Sequence, residues 1–181
     1  MQEPMIHEKI KISDYDPKWK KEFNKLKDIY IDSLDDLLVE VMHVGSTAIP
    51  GLCAKPVIDI DLVIESYSSF TEVKDGLENL GYEYKGNFGI EGRESFWRED
   101  KRVPRNGTNS RKHPHNLYVC PEDSRELKRH IAFRDYLRED ERCRKRYADL
   151  KRELAKKHRD DREAYTRAKT KFIERVLEEI I

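Results

Sequence analysis

The run Val57-Ile58-Asp59-Ile60-Asp61-Leu62-Val63-Ile64 constrains this chain more than any other. Its β-branched and aliphatic residues are those of a strand covered on both faces, yet two aspartates stand in it two positions apart. Residues two apart project from the same face of a strand, so Asp59 and Asp61 present their carboxylates side by side while Ile60 and Leu62 enter the core. Adjacent like charges on a central strand are expensive unless a cation neutralises them. A solvated strand face is the plain alternative, and the apolar residues around the pair argue against it. Hard oxygen ligands in a short row suit Mg²⁺ or Mn²⁺, ions that also bridge the phosphates of a nucleotide.

Upstream, Val44-Gly45-Ser46 ends an earlier β-rich run, and twelve residues separate Ser46 from Asp59. A Gly-Ser pair at a strand end offers close backbone approach and a hydroxyl, the needs of a phosphate cradle, which extends to Thr47. Lys55, in the same connection, supplies a point charge for phosphate or is simply exposed. Together these residues point to metal-dependent phosphoryl or nucleotidyl transfer from a nucleoside triphosphate, in which a protein mainly positions groups and neutralises charge.

The rest of the chain places these motifs in an α/β (α+β) domain. Asp16-Pro17 opens a helix predicted to reach about Leu37, and Ser68 or Ser69 opens a second that Gly81 closes. Strands are expected over Val39 to Val44, Val57 to Ile64, Tyr82 to Tyr84, Glu94 to Trp97 and His115 to Cys120. Between the last two runs a basic loop, Glu99 to Pro114, has little apolar area to anchor it and is expected to order over phosphate or a polyanion. From Asp123 onward the apolar residues recur at helical spacing. The expected organisation is a core over 1–121 and a C-terminal helical region over 122–181 packed on it as one unit.

Charge and cysteine content exclude several classes. Lys plus Arg and Asp plus Glu each number 36, so a net charge of zero lends no support to binding nucleic acid through bulk electrostatics. Cys53, Cys120 and Cys143 form no paired pattern and fit a reducing, cytoplasmic setting. Met1 to Lys11 has no apolar leader core, and no run is long enough to span a membrane, so neither secretion nor membrane insertion is expected. His113 and His115 flank Pro114; they are structural or touch substrate, and as a zinc pair they lack a third ligand.

The Gly-Ser then Asp-x-Asp pattern resembles the polymerase-beta-like nucleotidyltransferase superfamily in compact form. More closely, His43-Val44-Gly45-Ser46-Thr47-Ala48-Ile49-Pro50-Gly51-Leu52, Lys55-Pro56-Val57-Ile58-Asp59-Ile60 and Phe133-Arg134-Asp135-Tyr136-Leu137-Arg138 resemble the GrpB family over nearly the whole chain. The resemblance implies a nucleotidyltransferase-like core with a small mixed sheet, Asp59 and Asp61 on the metal, and a third carboxylate on a neighbouring strand. For that third position the sequence offers Glu94, Glu122 just beyond the last strand, or His115 in its place. Arg134 either pairs with Asp135 to hold its helix or reaches phosphate. A non-catalytic nucleotide- or RNA-binding module is the rival function, and the acceptor is unidentified.

Overall fold

A computed structural model describes residues 9–181; the leader expectation for Met1 to Glu8 lies outside these residues. Five strands, β1 (Glu40–Val44), β2 (Ile58–Ile64), β3 (Glu83–Gly86), β4 (Glu94–Trp97) and β5 (His115–Pro121), form one mixed sheet in the order β1-β2-β5-β4-β3. The central pair, β2 and β5, is parallel, and the flanking pairs are antiparallel. A parallel pair needs a long crossover, supplied here by helix α2 (Phe70–Asn79) and the β3–β4 hairpin.

The alternation in β2 sorts the molecule into layers. Ile58, Ile60, Leu62 and Ile64 face α1 (Lys18–Leu34) and α2, whose Phe23, Leu26, Tyr30, Val73 and Leu77 join them in the largest apolar cluster. Fully burying such a side chain contributes roughly 1.5–3 kcal/mol, so this face supplies most of the hydrophobic stabilisation. The opposite face carries Asp59 and Asp61 and meets α3 (Arg125–Glu139), with Leu127 packed on Val63 and Cys120. Helices α4 (Glu141–Lys157) and α5 (Arg162–Ile180) complete that layer, and Ile49, Leu52 and Cys53 of the β1–β2 connection pack with Leu137, Tyr147 and Val176.

Local signals set these boundaries. The Lys18 amide donates to Asp16 Oδ1 at 2.9 Å at the start of α1. Ser124, Asp140 and Asp161 each accept an amide N–H three residues on, at 3.3, 2.7 and 2.9 Å, and so cap α3, α4 and α5. Helix α1 ends at Leu34, earlier than its apolar spacing predicts, and Asp35–Leu37 tighten into a 3₁₀ turn. No helix among the described residues is long and apolar enough to cross a membrane.

Candidate functional site

Gly45 decides whether the site can form. It follows Val44, the register partner of Asp59, and its backbone has φ +70°, in the region that favours glycine. A Cβ at this position would lie 2.2 Å from Asp59 Oδ2, so any other residue would collide with the carboxylate. Ser46–Ala48 then make a single 3₁₀ turn, which brings Ser46 to the wall of the same cavities as Asp59.

The two aspartates share one face of β2 and have different surroundings. Asp59 lies abreast of Asn116 on β5, whose amide donates to its Oδ1 at 2.8 Å. Burial raises the Asp59 carboxyl above the usual carboxylate range, against the opposing pull of Asn116, Lys169 and His130. Asp61 is fully buried, and His130 on α3 meets its Oδ2 at 2.7 Å. Its other oxygen, Oδ1, is buried with no hydrogen-bond partner. Burial would lower the His130 pKa, yet the Asp61 carboxylate outweighs that and holds it above the ordinary imidazole value.

Two cavities meet at Ser46, Asp59 and Lys169. One, of about 430 Å³, runs toward Lys55, Lys151 and Arg162. The other, of about 490 Å³, runs beneath Phe133, Tyr147 and Ile173. Lys169, on α5, thus stands between them opposite Asp59, and burial lowers its pKa. Lys55 lies with its ammonium 5.9 Å from the Tyr165 ring centroid.

Several expected site residues are held by other partners. Glu94 is opposite Val119, which is opposite Leu62, so it faces away from the aspartates and toward α2. There it accepts from Tyr67 at 2.8 Å and Tyr84 at 2.5 Å, which holds its carboxylate away from Asp59. His115 pairs with Ile58 and turns its ring to that far face, although the residue also borders the first cavity with Asp59. Its Nε2 meets the Tyr82 hydroxyl at 2.5 Å and its Nδ1 the His113 carbonyl at 2.7 Å, while burial lowers its pKa to about 3. His113 turns instead to the Pro56 carbonyl at 3.1 Å, so the two imidazoles form no zinc pair. Glu122 follows the end of β5, beyond the register of Asp61, and its amide bonds the Ile64 carbonyl.

Thr47 is buried and bonds His43 through its hydroxyl at 2.9 Å. Arg134 grips Asp135 with two nitrogens, at 2.7 and 3.0 Å, and donates to the His43 carbonyl at 3.0 Å. It therefore fastens α3 to the end of β1. In the basic loop Arg111 and Lys112 border a separate cavity beside α1, away from the aspartates. Among the described residues no three His, Cys, Asp or Glu side chains converge as a metal-ligand group.

The residue abreast of Asp59 on the neighbouring strand is Asn116, a neutral amide rather than a carboxylate. Alternation from His115 puts Asn116 on the opposite face of β5, a signal available in the sequence once β2 and β5 are known to pair in register. Lys151 and Lys169 also carried a signal, since each interrupts an apolar stripe: Tyr147 and Leu154 flank the first, Tyr165 and Phe172 the second.

A family model described as GrpB protein matches residues 9–179. The chain belongs to the GrpB family. It is 33% identical over 168 residues to a UPF0157 protein of Halalkalibacterium halodurans, covering 93% of this chain and 80% of that one. It is 32% identical to the UPF0157 protein YqkA of Bacillus subtilis, of which it spans only 45%. Among solved structures, the conserved protein GrpB from Enterococcus faecalis superposes with a TM-score of 0.71 at 29% identity, over 92% of this chain and 99% of that one. The Cid1 poly(U) polymerase bound to MgGTP superposes with a TM-score of 0.54 at 16% identity, over 79% of this chain and 44% of Cid1. That likeness gives the GrpB chain a nucleotidyltransferase-like fold.

Proposed function

We propose that the protein binds a nucleoside triphosphate together with one divalent cation, Mg²⁺ or Mn²⁺, at Asp59 and Asp61, and that its chemistry is nucleotidyl or phosphoryl transfer. The observation that carries this reading is the buried Asp61 Oδ1, without a partner, on the same strand face as Asp59 and beside a glycine shaped around Asp59 Oδ2. An unpaired buried carboxylate oxygen is costly, and a hard cation satisfies it. The bound cation would neutralise triphosphate charge and orient the reacting phosphorus.

The remaining work falls to the chain. Gly45 and Ser46 admit the phosphates close to the backbone, and Lys169 and Lys55 offset their charge. His130 holds Asp61 by one oxygen and leaves the other for the metal. Phe133 and Tyr147 give the second cavity an aromatic lining suited to a base. Arg134 supports this frame from behind, and Thr47, on the wall of the first cavity, is held in place by His43.

Asn116 favours a second reading. A neutral amide abreast of Asp59 leaves two carboxylates, a set for one cation rather than two, and a nucleotide-binding module without turnover needs no more. A thermal-unfolding titration tests the shared part. Ligand at ~100 times its dissociation constant adds ~2.7 kcal/mol to the folded state. The stabilisation by Mg²⁺ or Mn²⁺ with triphosphate is expected to vanish in the double variant Asp59→Asn/Asp61→Asn, and an unchanged response would remove the reading. Incubation of the parent with α- and γ-labelled triphosphates and a panel of acceptors then separates transfer from binding alone.

A further inference from the structure

The two cavities that meet at Asp59 differ in charge. The first is lined by Lys9, Lys55, Arg98, Lys151, Arg162 and Lys169, and Asp59 is its single carboxylate among the described residues. In the second, Arg129 is already neutralised, by Glu126 at 3.0 Å and Glu174 at 2.5 Å, Arg93 lies over the Tyr118 ring at 4.7 Å from its centroid, and apolar side chains make up much of the wall. A triphosphate that has taken up a divalent cation keeps only part of its charge, and Lys169 and Lys55 stand where it would lie. The other cations of the first cavity exceed that need.

Lys151 makes the excess specific. It is only 1% exposed, its ammonium donates to the Cys53 carbonyl, and it lies 4.8 Å from the centroid of the Tyr147 ring. Among the described residues no carboxylate lies within ion-pair distance of Lys151, Arg162 or Lys169. Burial without an anion pulls the Lys151 pKa down to about 7. A buried ammonium facing a cavity of like charges is unfavourable until an anion enters, and phosphate is the anion that such a wall holds best.

We propose that this basic cavity binds a second ligand, a small molecule bearing a phosphate monoester, beside the nucleotide and against Lys151 and Arg162. The placement beside a nucleotide rests on the function proposed above; the phosphate site itself rests on the cavity's own residues. A small ligand fits better than a polynucleotide. The cavity lies between α4, α5 and the β1–β2 connection, and the chain's zero net charge gives a long polyanion no bulk electrostatic attraction.

Calorimetric titration with ribose 5-phosphate tests this on the whole chain, alone and saturated with Mg²⁺ and a nonhydrolysable triphosphate. Ribose 5-phosphate is expected to bind in both states with dissociation constants within about threefold of each other. Lys151→Met and, independently, Arg162→Ala are expected to weaken it by about tenfold or more while nucleotide affinity stays within about threefold. Methionine keeps the buried stem and removes the charge, and Arg162 is exposed at the first turn of α5, so neither change threatens the fold. Competition between ribose 5-phosphate and the nucleotide would overturn the proposal, because the cavity would then hold the triphosphate tail. Absence of binding, or binding of a short oligouridylate but not of ribose 5-phosphate, would overturn it as well. If the triphosphate fails to bind but ribose 5-phosphate binds and is lost in both variants, the phosphate site stands and the nucleotide reading falls.

Discussion

The two faces of the sheet hold polar groups on opposite terms. On the α1–α2 face, His115 and Glu94 sit in or beside the main apolar cluster, and each is satisfied: His115 by Tyr82 and the His113 carbonyl, Glu94 by two tyrosine hydroxyls. On the α3–α5 face, Asp61 Oδ1, Ser95 Oγ and Arg93 Nε are buried with no partner, and Lys151 is buried without an anion. Satisfied buried polar groups lock a core, whereas unsatisfied ones are kept only where something else repays their desolvation. Titratable residue type alone therefore does not mark a site; the state of its hydrogen bonds does.

The largest expected effect that separates the faces belongs to Lys151. Its folded pKa, about 7, lies below the ordinary lysine value of 10.5, so the folded state binds this proton less tightly than the unfolded chain. The group's contribution to stability is therefore intact above 10.5 and is lost as pH falls toward 7, with a total on the order of a few kcal/mol. Lys151→Met is expected to be more stable than the parent near pH 7, with the gap closing as pH rises toward 10.5. Denaturant unfolding across that interval measures it, and parallel curves for the two proteins would mean the buried ammonium is already compensated.

Gly45→Ala should have the next largest effect. Positive φ and the collision with Asp59 Oδ2 predict a loss of about 2–3 kcal/mol together with loss of stabilisation by nucleotide and cation. Glu94→Gln sharpens the contrast from the other face. Replacing a carboxylate that accepts from two tyrosines is expected to lower stability by about 1–2 kcal/mol, and to leave the nucleotide response in place. If Glu94→Gln abolished that response while the protein stayed folded, the division of labour between the faces would be wrong.

How far the sequence could be read follows from the range of the interactions involved. Local patterns were legible: β4 lies at Glu94–Trp97 as its residues indicate, β2 begins one residue later than its apolar run, and the caps at Asp16 and Gly81 act where expected. The Asp59–Asp61 pair and Gly45–Ser46 were legible for the same reason, since alternation along one strand and a glycine at its end need no partner. The face on which Glu94 and His115 lie relative to Asp59 depends on pairing between strands, which alternation within a strand does not set. His130, Lys151 and Lys169 reach the site from helices far along the chain, and the interrupted apolar stripe at each of the two lysines is a faint sign on helices so rich in charge.

Asn116 gives the smallest and most discriminating test. Asn116→Asp would put a carboxylate abreast of Asp59, in place of the amide that now donates to its Oδ1. Without a cation this exchanges a hydrogen bond for like-charge repulsion, and the already raised Asp59 pKa should rise further, at an expected loss of about 1 kcal/mol near neutral pH. The sign follows from linkage: a carboxyl whose folded pKa is raised stabilises the fold only below its unfolded value, and the variant should recover toward acid pH. With Mg²⁺ or Mn²⁺ present the same three oxygens-bearing side chains become a fuller ligand set, so the variant is expected to bind the cation more tightly than the parent and to regain or exceed parental stability. Unfolding curves with and without the cation, at pH 7 and in acid, measure both halves. A variant that loses stability regardless of the cation would show that Asn116 serves only to hold Asp59. If it instead gains cation affinity and transfers label where the parent does not, then the missing charge on β5 is what separates a binding site on this fold from a catalytic one.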